Sequence, residues 1–293
     1  MGNAKQGSPT AQVNRDHLEC VQGQINFARR SSDENAPEVD LSRLLPNMML
    51  GQVHDLPPML SYDVTVRNAR PIVNELSLDR EGFTLIQHKI SRPNERDPET
   101  IYDRYLEEMV PFIKSYFNAS WVVPRRLGII FRSADGSSIP AIKMKQPIVY
   151  AHVDYPPIMG PIIAAMENQS RGIPIQSYSR LMIIQSWHVL SPPPQDFPLA
   201  ICDGTSVHDT DIHVFDNTVA GTNLKLGAVH FNPAQRWYYF PEMTADELML
   251  FKGYDSEVHC NPNMAHSAFD NRRAYPNAKP RESLEVRFLV YYA

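Results

Sequence analysis

Short apolar runs, separated by proline and other turn residues, dominate the chain from residue 121 onward. Within the runs, apolar positions alternate with polar ones, and β-branched or aromatic residues are frequent, which is typical of half-buried strands. Nine segments show this pattern: 121–133, 146–155, 180–191, 197–207, 211–215, 225–232, 235–242, 248–256 and 283–293. So many short strands predict a mainly β fold with flanking helices, either a double-sheet jelly roll or a barrel.

The part of the chain before residue 121 is more mixed. Residues 1–45 are polar and weakly periodic, which predicts an N-terminal arm. The remainder, 46–293, is predicted to form a single domain. Segments 62–68 and 81–90 alternate in the same way as the later runs and predict two further strands.

Three helices are predicted among these strands. Asp97 is a suitable N-cap, a proline follows it, and apolar residues then recur every three or four positions as far as residue 112. Short helices are predicted at 157–169 and at 244–248. The second of these rests on Thr244 and Glu247, which have the spacing of a capping box.

Composition and charge exclude several classes of protein. With 293 residues, 43% of them hydrophobic and 21% charged, the chain can bury a substantial core. Its net charge is −5 and its pI is about 6.1, whereas nucleic-acid-binding proteins usually present a basic face. No segment approaches the ~20 apolar residues of a membrane-spanning helix. We therefore expect neither nucleic acid nor a membrane as a partner.

The spacing of the cysteines indicates whether the protein resides in a reducing or an oxidising compartment. Cys20, Cys202 and Cys260 are widely spaced and form no CxxC pair, so neither a disulfide framework nor a zinc ribbon is expected. A reduced, cytoplasmic protein fits this pattern best.

His152 and Asp154 are the first candidates for chemistry. They stand two residues apart at the end of an apolar run, and residues i and i+2 of a strand point to the same face. Together with one distant histidine they would form the 2-His-1-carboxylate triad that binds non-haem Fe(II) and leaves positions open. About one His-x-acid match is expected by chance in this composition, and His17 with Glu19 is a second instance. Context favours His152, because a predicted strand leads into it.

His266 is the candidate for the distant histidine. Arg281 and Ser283 follow it at the start of the last predicted strand, on one face of that strand. An arginine suits the far carboxylate of 2-oxoglutarate, because its fork of donors forms a bidentate pair and its charge is permanent. Ser283 would assist with its hydroxyl. Arg287 lies on the same strand face and is the alternative anchor.

Several further segments, taken in order, resemble the Fe(II)/2-oxoglutarate oxygenases related to the cephalosporin 7-alpha-methoxylation subunit and to gibberellin A4 desaturase. The match covers about residues 60–293 and is weaker toward the N-terminus. These segments carry it: HVDY at 152–155, FPLAICD at 197–203, NPAQRWYY at 232–239, MTADE at 243–247, FKGYDS at 251–256, HSAF at 266–269 and PRESLEVR at 280–287.

The resemblance implies a double-stranded β-helix (jelly roll) and a set of cofactors. Fe(II) would be held by His152, Asp154 and His266, with 2-oxoglutarate as co-substrate and O2 as oxidant. The implied reaction is oxidation of a small-molecule secondary metabolite, by hydroxylation, desaturation or ring formation through an Fe(IV)=O species. The net charge of the chain gives no indication of the substrate.

One position departs from the family pattern. The family's Asn-x-Trp-Arg-Pro segment stands here as Gln-Ser-Trp-His-Val, so His188 replaces the arginine. His188 is a substrate-facing acid or base, a packing residue of a strand, or an extra polar contact. Together with Trp187 and Tyr155 it is a candidate for substrate contact.

Two other classes of function remain open from the sequence. One is a cupin-like metal-dependent dioxygenase or isomerase that does not use 2-oxoglutarate. The other is a non-catalytic jelly-roll binding protein. The sequence gives no indication of oligomeric state.

Overall fold

Two β-sheets that share a hydrophobic core make up most of the described chain. The computed structural model describes residues 13–33, 36–90, 98–126, 129–136, 144–173, 177–257, 259 and 263–293. Within them the strands are β1 (Cys20–Ala28), β2 (Gln52–His54), β3 (Met59–Asn68), β4 (Phe83–Gln87), β5 (Trp121–Pro124), β6 (Ile130–Ser133), β7 (His152–Val153), β8 (Arg180–Val189), β9 (Leu199–Cys202), β10 (Ile212–Val219), β11 (Thr222–Val229), β12 (Trp237–Tyr239), β13 (Glu247–Asp255), β14 (His266–Ala268) and β15 (Glu282–Tyr292). The α-helices are α1 (Leu45–Met48), α2 (Pro98–Tyr116) and α3 (Met159–Ser170).

The strand order identifies the two sheets. The larger has the order β1-β3-β12-β9-β14-β7-β11-β10-β2. The smaller has the order β4-β13-β8-β15-β5, and β6 also pairs with β15. Nearly all pairs are antiparallel, although β12 runs parallel to β3. Each of the nine segments predicted after residue 120 contains at least one strand, as the period-two pattern indicated.

The core between the sheets is made by side chains from both. Trp187 and Phe251 of the smaller sheet belong to the same buried cluster as Ile201 and Tyr238 of the larger one. Such burial contributes roughly 25 cal/mol per Å² of apolar area removed from water. The inner faces of the two sheets therefore hold each other in place around the space between them.

Helix α2 covers the outer face of the smaller sheet. Tyr105, Met109 and Ile113 of the helix are buried against apolar side chains of β8, β13 and β15. These positions follow the three- and four-residue steps that predicted the helix. The helix continues for a further turn beyond Pro111. The predicted N-cap, Asp97, lies outside the described residues.

Part of the predicted N-terminal arm is a strand of the larger sheet. Strand β1 pairs with β3 over nine residues, and its side chains Ile25 and Phe27 are fully buried. Buried and exposed side chains do alternate in this segment. Few of its positions are apolar, however, so the predominantly polar composition of residues 1–45 hid the strand pattern. The predicted polar arm, residues 1–45, therefore contributes residues 20–28 to the larger sheet.

The predicted helix at 244–248 is wrong. Thr244 and Glu247 do contact each other, because the backbone N–H of Thr244 donates to Glu247 Oε2 at 2.9 Å and that of Glu247 donates to the Thr244 carbonyl at 3.1 Å. These bonds close a turn, after which the chain enters β13 directly. The predicted helix at 157–169 is confirmed as α3.

The described helices give no indication of a membrane span, since none of them is both long enough and apolar enough to cross a bilayer.

Candidate metal centre and adjoining cavities

His152 and His266 lie side by side on neighbouring strands of the larger sheet. His152 begins β7, His266 begins β14, and the two residues are direct partners in the antiparallel register. Their ring centroids are 4.2 Å apart. The fold therefore brings together two imidazoles that stand far apart in the sequence.

A backbone carbonyl fixes each imidazole ring. Nδ1 of His152 lies 2.9 Å from the carbonyl oxygen of Tyr150, and Nδ1 of His266 lies 3.0 Å from that of Met264. Because a carbonyl oxygen only accepts hydrogen bonds, each Nδ1 carries the hydrogen and each Nε2 keeps its lone pair. Metal-binding histidines are usually held in this way.

Asp154 completes a group of three potential ligands. Its Oδ1 lies 3.8 Å from Nε2 of His152, and its Oδ2 lies 3.8 Å from Nε2 of His266. One ligand atom from each residue lies within 4.8 Å of the other two, and no second cluster of this kind occurs in the described part of the chain. Two imidazoles and one carboxylate are the donor set of the non-haem iron triad, so these residues fit Fe(II).

Burial and neighbouring charges set the protonation states of the group. Burial, assisted by the nearby His266, lowers the pKa of His152 to about 3, so this imidazole is neutral at physiological pH. Burial by itself would raise the pKa of Asp154, but the charge of Arg287 and the two imidazoles hold that pKa well below its ordinary value. A neutral imidazole and an ionised carboxylate are the forms that bind a metal.

Arg287 is the charged neighbour of this carboxylate. Its Nη2 lies 2.7 Å from Asp154 Oδ2 and 2.7 Å from Glu285 Oε1, and its Nε donates to Gln185 Oε1 at 2.8 Å. Burial opposes the charge of Arg287, but the two carboxylates raise its pKa above the ordinary value. The sequence left Arg287 open as the anchor for 2-oxoglutarate. Its guanidinium is already engaged by two carboxylates, so the geometry favours Arg281 for that role.

The guanidinium of Arg281 is buried and forms no ion pair with a described carboxylate, although the backbone N–H of Arg281 donates to Asp196 Oδ1 at 2.9 Å. It is 1% exposed, its Nη1 donates to the carbonyl of Phe197 at 2.8 Å, and its Nε has no partner in the described part of the chain. Burial lowers the pKa of Arg281 to about 9, and the nearby charge of Arg132 acts in the same direction. A buried cation is costly unless an anion compensates it, so this group fits a carboxylate ligand.

One cavity connects Arg281 with the two histidines. His152, His266 and Arg281 all line it, together with Trp187, whose ring centroid lies 5.7 Å from the guanidinium carbon of Arg281. Ser283 is buried two residues further along the last strand, on the face that Arg281 shares. The structure thus places the two predicted histidine ligands and the predicted co-substrate anchor around a single space.

His188 does not reach this cavity. Consecutive residues of β8 point to opposite faces, so Trp187 lines the cavity while His188 lies beneath α2. Its Nδ1 lies 3.2 Å from the hydroxyl oxygen of Tyr105, and the residue is fully buried. Burial and the neighbouring His88 lower the pKa of His188 to about 3. The interpretation of His188 as a substrate-facing group is wrong, because it is a packing residue of the outer layer.

A second cleft borders Asp154 and contains Tyr155, the remaining candidate for substrate contact. The hydroxyl oxygen of Tyr155 accepts a hydrogen bond from Arg125 Nη1 at 2.8 Å. Gly253 makes room for the ring, since a Cβ at that position would lie 2.6 Å from Tyr155 Cδ2. Arg132 and Arg287 line both this cleft and the first cavity.

Arg125 and Arg132 are further candidate site residues that belong to no sequence motif. Both lie in the run 121–133, where they look like ordinary polar positions of a strand. Arg132 faces inward because it is the register partner of Ser283, and the backbone N–H of Arg125 donates to the carbonyl of Arg287. Only the pairing of these segments with β15 reveals that their guanidinium groups adjoin the candidate metal centre.

Comparisons with known proteins point to one family. The family model described as "Oxidoreductase/YMDC permease-like domain" matches residues 25–291. The hydroxylase/desaturase efuI of Hormonema carpetanum is 31% identical over 251 residues, which are 78% of this chain and 83% of that protein. The Fe(II)/2-oxoglutarate-dependent dioxygenase nvfI of Aspergillus novofumigatus is 27% identical over 240 residues, with the same coverage of the two chains.

A solved structure has a similar fold. The iron and alpha-ketoglutarate-dependent endoperoxidase NvfI superposes with a TM-score of 0.72 at 23% sequence identity, over 94% of this chain and 98% of that one. This likeness confirms the predicted double-stranded β-helix.

Proposed function

The chain belongs to the family of fungal Fe(II)/2-oxoglutarate-dependent hydroxylases and desaturases, and from this premise we propose how its own residues serve that activity. The enzyme oxidises a small-molecule secondary metabolite with Fe(II), 2-oxoglutarate and O2, by hydroxylation, desaturation or ring formation. His152, Asp154 and His266 hold the iron. Arg281 and Ser283 bind the far carboxylate of 2-oxoglutarate.

The convergence of two free Nε2 atoms and one carboxylate carries this proposal. The three ligand atoms lie within 4.8 Å of one another, and both rings are oriented by backbone carbonyls. A purely structural cluster would not need two Nε2 lone pairs within 3.8 Å of one carboxylate. The buried Arg281, which has an unpartnered Nε, supports an anionic co-substrate in the same cavity.

Each residue has a separate task. The imidazoles of His152 and His266 donate their Nε2 lone pairs, and the carboxylate of Asp154 supplies negative charge. The guanidinium of Arg281 orients the co-substrate. The ring of Trp187 covers this guanidinium and excludes water from that side of the guanidinium. When bound, iron and 2-oxoglutarate together supply the oxidation of an unactivated carbon at the expense of O2.

The test is a set of two measurements on the purified protein. Anaerobic addition of Fe(II) and 2-oxoglutarate should give the visible charge-transfer band of the chelated co-substrate. Admission of O2 should then release succinate in an iron-dependent reaction. An Fe(II)-dependent oxidation without succinate release would instead favour a cupin-like dioxygenase or isomerase. Failure to bind one equivalent of Fe(II) would favour a non-catalytic binding protein.

We propose a cytoplasmic location for the enzyme. Cys20 and Cys202 are both free thiols, and Cys202 is buried beside Ser206. This agrees with a reducing compartment.

A further inference from the structure

The cleft that borders Asp154 and Tyr155 has a mainly apolar wall with a few polar groups. Aliphatic side chains such as Ile130, Leu224 and Leu226 line it. The polar groups include Arg125 and Asn217, and the side-chain Oδ1 of Asn217 is buried without a hydrogen-bond partner among the described residues. A wall of this kind fits an apolar molecule that carries a small number of polar substituents.

Positively charged side chains outnumber negatively charged ones around this cleft and the neighbouring cavity that Arg281 lines. Four guanidinium groups line the cavity and the cleft, whereas two carboxylates do so in the described part of the chain. The guanidinium groups belong to Arg125, Arg132, Arg281 and Arg287, and the carboxylates to Asp154 and Glu285. If the proposed function is right, Fe(II) and the 2-oxoglutarate dianion cancel each other, so an excess of two positive charges remains. Buried charges are normally compensated by partners.

Three of the four arginines already have an assigned neighbour. Arg287 is paired with both carboxylates, and Arg281 is the anchor of the co-substrate. Arg132 is the register partner of Ser283 and its Nη1 donates to two backbone carbonyls, so it adjoins the co-substrate cavity.

Arg125 is different, because it lines the cleft but not the cavity that contains Arg281 and the two histidines. It is 8% exposed, and the side-chain partner of its guanidinium is the neutral hydroxyl of Tyr155. No described carboxylate forms an ion pair with it.

We infer that the substrate is an apolar molecule bearing a carboxylate, which Arg125 binds while the apolar skeleton lies along the aliphatic wall of the cleft. This inference rests on the proposed function, since it places the substrate beside the metal centre. Tyr155 holds the guanidinium of Arg125 in place through their hydrogen bond. The unpartnered Oδ1 of Asn217 is available to accept a hydrogen bond from a hydroxyl group of the skeleton.

The experiment measures binding to the complete enzyme loaded with Fe(II) and 2-oxoglutarate under anaerobic conditions. The probes are three matched pairs of acid and methyl ester: decanoic, adamantane-1-carboxylic and 1-naphthoic acid with their esters. We expect at least one acid to bind ten times or more tightly than its ester, which corresponds to ~1.4 kcal/mol or more. The preference should vanish in Arg125→Gln and persist in Arg126→Gln, a control at the adjacent, exposed arginine.

Two outcomes separate the failure of this inference from failure of the proposed function. If the charge-transfer band of Fe(II) and 2-oxoglutarate forms and no acid is preferred over its ester, or if Arg125→Gln keeps the preference, the inference is overturned. If the band does not form at all, the proposed function fails first. Unchanged affinity for 2-oxoglutarate in Arg125→Gln is the result expected of a residue that serves the substrate alone.

Discussion

Arg287 Nη2 lies 2.7 Å from Asp154 Oδ2, so a buried guanidinium holds one oxygen of the carboxylate that we propose as an iron ligand. The other oxygen, Oδ1, has no such partner among the described residues and lies 3.8 Å from Nε2 of His152. The pair therefore distinguishes the two carboxylate oxygens before any metal binds. Glu285 and Gln185 fix the guanidinium in turn.

Replacing Arg287 by lysine tests this relationship. Lysine keeps the charge but loses the fork that reaches Asp154, Glu285 and Gln185 at once. We expect the affinity for Fe(II) to fall by about tenfold or more, as is usual when a partner of a metal ligand is removed. Anaerobic titration with Fe(II), or with Mn(II) followed by electron paramagnetic resonance, measures it. Wild-type metal affinity in this variant would show that the ion pair does not orient Asp154.

Replacing Arg281 by lysine should affect the co-substrate instead. The loss of one charge-assisted hydrogen bond, worth ~1.5–3 kcal/mol, should raise the dissociation constant of 2-oxoglutarate by about tenfold or more. Iron affinity should stay the same, because Arg281 is not in contact with the proposed ligands. Titration of the charge-transfer band gives the constant, and Arg272→Lys, at an exposed arginine, is the control. If Arg287→Lys shows this defect and Arg281→Lys does not, the two roles are exchanged.

Replacing Asp154 by alanine should remove iron binding and leave the fold intact. Two imidazoles remain, which bind Fe(II) weakly without an anionic partner. The fold should persist because Arg287 keeps its ion pair with Glu285. Iron content after anaerobic loading, together with circular dichroism, distinguishes these effects. Succinate release at the wild-type rate would contradict the assignment of Asp154 as a ligand.

The positions of most strands, and the pairing of His152 with Asp154 on one strand face, could be predicted from the sequence because their signals are local. His152 and Asp154 share a strand face by their spacing alone, and the apolar alternation around them marks the strand. Pairing between distant segments is not local. The positions of Arg125 and Arg132 depend on the register with β15, which no pattern within residues 121–133 encodes.

His188 and Glu247 show two other limits of sequence reasoning. The sequence makes His188 a candidate for substrate contact because it stands where the family has an arginine, with packing as the alternative. Adjacent strand residues face opposite layers, so only one of Trp187 and His188 can reach the cavity. The spacing of Thr244 and Glu247 correctly indicated a mutual contact. The same contact can close a turn or cap a helix. Here it closes a turn, because the residues that follow pair with β8 as strand β13.

His188 should instead make stability depend on pH. Its folded pKa is about 3, whereas an unfolded histidine titrates near ~6.5. The unfolded chain therefore binds a proton that the folded protein excludes, and the stability present above pH ~6.5 is lost as the pH falls toward 3. The contribution is up to ~1.4 kcal/mol per pH unit between the two values.

Urea unfolding of the apoprotein at a series of pH values measures this dependence. His188→Asn should flatten the fall in stability between pH 6.5 and 4, whatever it does to stability at neutral pH. His17→Gln, at an exposed histidine, should leave the slope unchanged. An identical slope in wild type and His188→Asn would mean that His188 becomes protonated without unfolding.

The register pairing of His152 with His266 also bears on whether the sheet folds before or after a metal binds. Six strands, β8 to β13, lie between the two histidines in the chain. Contacts of such large sequence separation form late, because the entropy of closing the intervening chain must be overcome first. A metal ion therefore cannot serve as a nucleus for folding, as zinc does in small fingers. We therefore expect the apoprotein to complete its larger sheet before iron binds at the proposed ligands, so that iron loading is a separate and later event.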